Sequence, residues 1–134
     1  MGSENLMNVK DAEDFSRPWL QAWTGNRPEE LIKYYAQDAF YSDPARREGM
    51  RGHSEMLPYF KRLLAANPDW VWGLVEAFPT EKGFTGKWKA TIPVGNKVII
   101  EYGVDIVEVS GGKVTRNEVY FDRTALLEAY KQLG

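Results

Sequence analysis

The chain has 134 residues, a length suited to one domain around one hydrophobic core. Lys and Arg number 17 and Asp and Glu number 19, so the net charge of -2 is too small to indicate binding to nucleic acid or to an anionic membrane. The sequence lacks cysteine, which excludes disulfides and thiolate nucleophiles, and its single histidine argues against a metal site, so we predict neither metal nor cofactor.

The N-terminal segment is polar and acidic, without the charged-then-apolar order of a signal peptide. Apolar runs elsewhere do not approach the 18 residues that indicate a membrane span. We therefore expect residues 1–8 to be a disordered or tag-like extension and residues 9–134 to form the domain. The expected location is cytoplasmic.

Three helices are predicted in the first half of the chain. Apolar residues recur every three or four positions over residues 9–24, which indicates an amphipathic helix with Pro18 inside it. A second helix is expected over residues 28–36, because proline suits the first turn and two glutamates follow it. A third is expected over residues 53–66, ended by Asn67-Pro68.

Strands are predicted around and after the third helix. A short strand over residues 39–42 ends at Asp43-Pro44, because a residue that precedes proline avoids helical angles, and a charged loop over residues 45–52 follows. Two-residue alternation from Trp70 onward predicts a strand whose one face carries Trp70, Trp72, Leu74, Glu76 and Phe78.

The remaining elements complete an antiparallel meander. Strands are expected over residues 84–92, 97–109 and 113–122, the last two joined by a tight hairpin, and a helix over residues 124–133 closes the chain. Helices followed by such a meander predict an α+β fold in which helices pack on one sheet.

Three segments resemble SnoaL-like proteins of the NTF2-like superfamily over nearly the whole chain. They are YYAQDAFYSDP at residues 34–44, Arg51-Gly52 before the third helix, and GGKVTRNEVYFDRTALLEAYKQLG at residues 111–134. The resemblance implies a cone, in which a curved antiparallel sheet wraps around three N-terminal helices and a short C-terminal helix, leaving a pocket for a small hydrophobic molecule. It also implies a homodimer through the outer face of the sheet. Because this superfamily includes isomerases, cyclases, dehydratases, epoxide hydrolases and binders, the chemistry stays open.

Two aspartates correspond to catalytic positions of ketosteroid isomerases. Asp43 lies at the Asp-Pro junction where these enzymes carry a general base, although an aspartate before proline is also a common turn former. Asp105 lies in YGVDIVEV, where the isomerase has a protonated aspartate that donates to the substrate oxyanion. Alternation puts Asp105 on one face with Gly103 and Val107, but does not say whether that face is concave.

The comparison with isomerases also shows differences. Their oxyanion tyrosine corresponds to Trp19, and the tyrosine that supports it corresponds to Phe60. Steroid isomerisation is therefore in doubt unless another tyrosine supplies a hydroxyl. The candidates for that hydroxyl are Tyr34, Tyr35, Tyr41 and Tyr59.

Further residues are predicted to serve the pocket. Trp19, Phe60, Trp88 and Asn117 are expected to bind the ligand, because large rings line cavities and a buried amide must find a partner. Asp122 is an alternative acid or base that otherwise anchors the last helix, and His53 is expected to cap a helix.

The sequence therefore predicts a cofactor-independent isomerase, cyclase or dehydratase that acts on a hydrophobic carbonyl compound through Asp43 and Asp105. One alternative is a non-catalytic module that binds a small molecule in the same pocket. The other is a protein-interaction domain, whose pocket would be filled by side chains.

Overall fold

The first helix begins at the predicted residue and ends three residues earlier than predicted. In the computed structural model, which describes residues 7–133, helix α1 spans Val9–Gln21 and contains Pro18. Asn8 caps it by accepting from the amide of Asp11, whose side chain accepts from Asn8 in return. Met7 packs against the core. Residues 1–6 lie outside the described part of the chain, and the expected extension over residues 1–8 stays a prediction.

The second helix is shorter than predicted because the chain leaves it to join the sheet. Helix α2 spans Pro28–Ile32, and strand β1 spans Tyr35–Asp43 rather than residues 39–42. Tyr35 is buried and lies beside Val114 in a parallel strand pairing. A distant strand thus supplies hydrogen bonds that local helix signals could not anticipate.

The charged segment predicted as a loop is also a strand. Strand β2, Arg46–Arg51, pairs antiparallel with β1 through a turn at Pro44 and Ala45. It forms one edge of the sheet, where charged side chains remain in water. Helix α3, His53–Ala66, follows as predicted.

Within residues 7–133, one curved sheet contains six strands in the order β2-β1-β6-β5-β4-β3, and only the β1–β6 pairing is parallel. Its other strands are β3 (Val71–Pro79), β4 (Gly83–Val94), β5 (Lys97–Ser110) and β6 (Lys113–Tyr120). Helix α4, Thr124–Lys131, ends the described fold. The architecture is the α+β arrangement predicted from the order of elements.

A β-bulge in β3 corrects the predicted faces of that strand. Leu74 pairs with Trp88 but Glu76 pairs with Lys87, so Val75 is the extra residue and the alternation reverses there. Trp72 and Leu74 pack against the core before the bulge, and Ala77 does so after it. Glu76 and Phe78 therefore do not share the face of Trp72.

One face of the sheet is covered by helices, and the other exposes apolar side chains. Helices cover the concave face, whereas the outer face of β5 exposes Val98, Ile100 and Tyr102 at 60%, 45% and 53% of their surface. Homodimerisation through this outer face stays a prediction. No helix within residues 7–133 is long and apolar enough to cross a membrane.

Candidate functional site

A cavity of about 200 Å³ lies between the concave face of the sheet and the helices. Its wall is mainly apolar and unusually rich in aromatic rings. Two carboxyl groups, those of Asp43 and Asp105, also line it. The aromatic side chains of the wall include Trp23, Tyr41, Tyr59, Trp70, Trp72 and Trp88.

The sheet register brings Asp105 to the cavity. Asp105 lies between Gly86 of β4 and Val119 of β6, on the same face as the buried Val107. Only 4% of Asp105 is exposed. The face that carries Asp105 is therefore the concave one, a point that strand alternation alone left open.

A chain of two hydrogen bonds holds the Asp105 carboxyl group. The amide nitrogen of Asn117 donates to Oδ1 of Asp105 at 3.3 Å, and the Tyr35 hydroxyl donates to Oδ1 of the same amide at 2.7 Å. Because Tyr35 occupies the amide oxygen, Asn117 presents its N–H groups to the carboxyl. Asn117 is thus a partner of Asp105 and lies behind the cavity wall rather than in it.

Burial raises the pKa of Asp105 to about 7. The hydrogen bond from Asn117 lowers it in part, and so does the indole N–H of Trp88, which lies near the carboxyl without completing a hydrogen bond. Asp105 therefore changes protonation state near neutral pH, as a general acid or base must.

Asp43 lies in a very different environment at the end of β1. Its Oδ1 accepts from the amides of Ala45 and Arg46, both at 2.9 Å, which is the turn-forming arrangement. Its Oδ2 accepts from the hydroxyls of Tyr41 at 2.8 Å and Tyr59 at 2.7 Å. Four donors therefore occupy the carboxylate, which leaves little capacity to take up a proton from a ligand.

Two indole groups in the cavity wall have hydrogen-bonding capacity to spare. The indole nitrogens of Trp72 and Trp88 are buried and have no hydrogen-bond partner among the described residues. The two rings meet edge to face, with centroids 4.6 Å apart and planes at 72°. Buried donors without partners are rare, and the indole nitrogen of Trp19, in the core, is a third one.

Gly103 makes room for the indole of Trp88. The two residues are directly opposite each other on β5 and β4. A Cβ atom on Gly103 would lie 2.5 Å from the Trp88 ring and 2.7 Å from Cβ of Phe121. A glycine inside a strand is a sequence signal for such close approach, and Gly103 was not among the predicted site residues.

Trp19 and Phe60 lie behind the cavity rather than along it. Trp19 packs against Tyr35 and Phe84, with ring centroids 6.4 Å away in both cases. Phe60 contacts the rings of Trp23 and Tyr41, at 5.2 Å each. Both positions are core positions in this fold, and the tyrosines that line the cavity are Tyr41, Tyr59 and Tyr130.

The two remaining candidates have structural partners. His53 contacts the backbone carbonyl of Tyr35 through Nε2 at 2.9 Å and begins α3. Asp122 accepts from the amide and hydroxyl of Thr124, at 2.9 and 2.6 Å, and so anchors α4. In residues 7–133, no three histidine or acidic side chains are grouped so as to hold a metal ion.

The sequence model of one protein family, described as the SnoaL-like domain, matches residues 17–117, which is more than half of the chain. The chain belongs to the SnoaL-like family. No curated protein sequence matches it significantly.

Solved structures similar to this SnoaL-like chain have the same fold at low sequence identity. A putative hydroxylase, AclR from Streptomyces galilaeus, is 15% identical with a TM-score of 0.74, covering 95% of this chain and 100% of its own. A protein from Catenulispora acidiphila with a ketosteroid isomerase-like fold, in complex with trimethylamine, is 20% identical with a TM-score of 0.73 and coverages of 84% and 88%. A putative polyketide cyclase from Acidithiobacillus ferrooxidans is 21% identical with a TM-score of 0.71 and coverages of 85% and 89%.

Proposed function

We propose that this SnoaL-like protein is a cofactor-independent enzyme that moves a proton on a hydrophobic carbonyl compound, as an isomerase, cyclase or dehydratase does. The observation that carries this proposal is the placement of Asp105, a buried carboxyl group that titrates near neutral pH, in an aromatic cavity. An acid or base is most effective when its pKa lies near the working pH.

Asp105 is the residue proposed to take the proton. Its carboxylate removes a proton from the carbon next to the carbonyl, and the electron pair of that C–H bond forms an enolate. The resulting carboxylic acid then returns the proton, either to the same carbon or to another position of the conjugated system. Only Oδ1 is bound by Asn117, so Oδ2 is available for this exchange.

The unpaired indole groups supply donors for the developing charge. Trp72 and Trp88 line the same cavity as Asp105, and we propose that their unpaired N–H groups turn to an enolate oxygen bound there, in a low-dielectric environment. Indole is a weaker acid than phenol, so this stabilisation is expected to be smaller than that of a tyrosine-based oxyanion site.

Asp43 is proposed to position side chains rather than to transfer the proton. Its four hydrogen bonds fix the turn after β1 and hold the hydroxyls of Tyr41 and Tyr59 at the cavity. The predicted pair of catalytic aspartates thus becomes one proton-transfer group, Asp105, and one positioning residue.

Exchange of α-protons for deuterium tests the proposal without knowledge of the natural substrate. Apolar ketones are incubated with the protein in D₂O, and loss of the α-proton signal is followed by NMR. We expect exchange above the buffer rate for at least one ketone, and a loss of about 100-fold or more in Asp105→Asn. Asp69→Asn, which changes an exposed carboxylate, is the matched control. Exchange equal to the buffer rate across the panel would contradict the proposal.

A non-catalytic binding module is the second candidate, because the cavity wall is mainly apolar and Asp43 is fully engaged within the protein. It predicts that apolar ligands quench tryptophan fluorescence equally well in the native protein and in Asp105→Asn, with no proton exchange in either. The open cavity gives less support to a protein-interaction domain, whose pocket would be filled.

A further inference from the structure

A second, more polar groove adjoins the aromatic cavity, and we call this groove the mouth. It lies between the turn after β1 and the connection from β6 to α4, and Arg47 of β2 reaches it. The groove and the cavity adjoin each other, because they share the lining residues Asp43, Pro44, Val119, Phe121, Arg123 and Leu127.

Two guanidinium groups of this mouth have no acceptor within the protein. Arg123 is half-buried and Arg47 is exposed, and neither makes an ion pair or hydrogen bond with any residue in 7–133. Four other arginines donate to carboxylates or backbone carbonyls, namely Arg27, Arg46, Arg51 and Arg116. Arg17 and Arg62, which are exposed and line neither the groove nor the cavity, also have no such partner among residues 7–133. The mouth therefore carries two sets of unused donors on positively charged groups.

Arg123 is the half-buried arginine of the mouth. It lines both the groove and the cavity. Burial raises the pKa of the Tyr59 hydroxyl, and the positive charge of Arg123 is among the effects that oppose this rise. Arg123 thus lies near the tyrosine hydroxyl that projects into the cavity.

The carboxylates of the mouth do not neutralise these arginines by direct contact. Asp43 accepts from two backbone amides and two tyrosine hydroxyls, and Asp122 accepts from the amide and hydroxyl of Thr124. Both acidic groups thus have partners inside the protein, whereas both guanidinium groups are available to a ligand.

We propose that Arg123, assisted by Arg47, binds an anionic group of a ligand whose apolar body fills the aromatic cavity. The ligand class is an amphipathic molecule with a carboxylate, phosphate or sulfonate at one end. A guanidinium group matches the planar, bidentate geometry of such oxyanions better than an ammonium group does. The inference deepens the proposed function by naming a feature of the substrate, and it rests on that proposal only for occupation of the same cavity.

Two fluorescent probes that differ in charge test the inference. The anionic probe is 8-anilinonaphthalene-1-sulfonate, and the neutral probe is N-phenyl-1-naphthylamine, which has a similar apolar body without the sulfonate. We expect Arg123→Gln to weaken binding of the anionic probe about 10-fold or more and to leave the neutral probe within about twofold. Arg47→Gln should have a smaller effect in the same direction, and Arg17→Gln, an exposed arginine away from the mouth, should have none.

Displacement of the anionic probe identifies the anion. Competition by 2-naphthoate, by 2-naphthyl phosphate and by neutral 2-naphthol separates carboxylate from phosphate recognition, and either anion should compete better than the neutral compound. Equal weakening of both probes in Arg123→Gln, no weakening of either, or failure of the native protein to bind the anionic probe would overturn the inference. Because Asp105→Asn retains both arginines, it should keep the preference for the anionic probe even if proton exchange is never found.

Discussion

The side-chain amide of Asn117 donates to Oδ1 of Asp105 at 3.3 Å, and both residues are buried on the concave face of the sheet. The amide cannot turn over without breaking its second hydrogen bond, which it accepts from the Tyr35 hydroxyl at 2.7 Å. Tyr35 comes from β1, Asn117 from β6 and Asp105 from β5, so the relay joins three adjacent strands. The arrangement of the sheet thus fixes how the carboxyl group is presented to the cavity.

Removal of the Tyr35 hydroxyl should release this relay. Tyr35→Phe leaves the buried Asn117 oxygen without its donor, at a cost of about 1–3 kcal/mol in unfolding free energy. Because the Asn117 bond lowers the pKa of Asp105, its loss should move the midpoint of any pH-dependent activity upward. Tyr34→Phe is the control, since no hydrogen bond to the Tyr34 hydroxyl is present among the described residues. An unchanged midpoint in Tyr35→Phe would count against a positioning role.

Asp43→Asn should damage stability more than proton transfer. An asparagine retains one acceptor oxygen but turns an NH₂ group toward the hydroxyls of Tyr41 and Tyr59, so we expect a loss of about 1–3 kcal/mol in urea unfolding. Exchange activity should fall less than about 10-fold, in contrast to the loss expected for Asp105→Asn. Asp38→Asn, an exposed change on the same strand, is the control. Complete loss of exchange in a folded Asp43→Asn protein would restore Asp43 as the base.

Asp105 should make the native protein less stable as pH rises. Its pKa is about 7 in the folded state against an ordinary value of 3.8, so the folded state holds a proton that the unfolded state releases between these values. Stability relative to Asp105→Asn should therefore fall from pH 4 to pH 7 and level off above pH 7, by roughly 4 kcal/mol in total. Urea unfolding of both proteins at several pH values measures this difference, and parallel curves across the range would show that the carboxyl group is not perturbed.

Gly103→Ala should disturb the cavity through Trp88. The new methyl group would lie 2.5 Å from the indole ring, so the ring or the strand must move, at a cost of about 1–3 kcal/mol in unfolding free energy. We also expect weaker quenching of tryptophan fluorescence by apolar ligands. Gly73→Ala is the matched control, because an added Cβ meets no atom within 4 Å there. Equal effects of the two substitutions would show that the close approach to Trp88 is unimportant.

The elements predicted well from the sequence are those whose signals are local. Helix α3 and strands β4 and β5 follow from short-range apolar periodicity and their turns. Strand β2 and the first half of β1 were missed because their pairing partners lie elsewhere in the chain, and the bulge at Val75 interrupts an alternation that looked continuous. Local patterns do not contain this pairing information.

The same distinction applies to the candidate site. Asp43 and Asp105 could be selected from the resemblance to isomerases, and Asn117 from its polarity within an apolar alternation. Tyr35 was one of four tyrosines that could supply a hydroxyl, and its predicted position in a helix gave no reason to pair it with Asn117, 82 positions away. Strand alternation likewise does not say which face of β5 is concave. The structure shows it, because Asp105 is buried and Tyr102 is exposed.

The pH dependence of α-proton exchange, measured beside the titration of the Asp105 carboxyl carbon by ¹³C NMR, tests the central claim most directly. If Asp105 is the base, the exchange rate rises with pH to a plateau, and its midpoint coincides with the carboxyl titration at about 7. Asp105→Asn should remove both the pH-dependent rate and the titrating signal. A carboxyl signal that titrates near 4, together with exchange that persists in Asp105→Asn, would contradict the account.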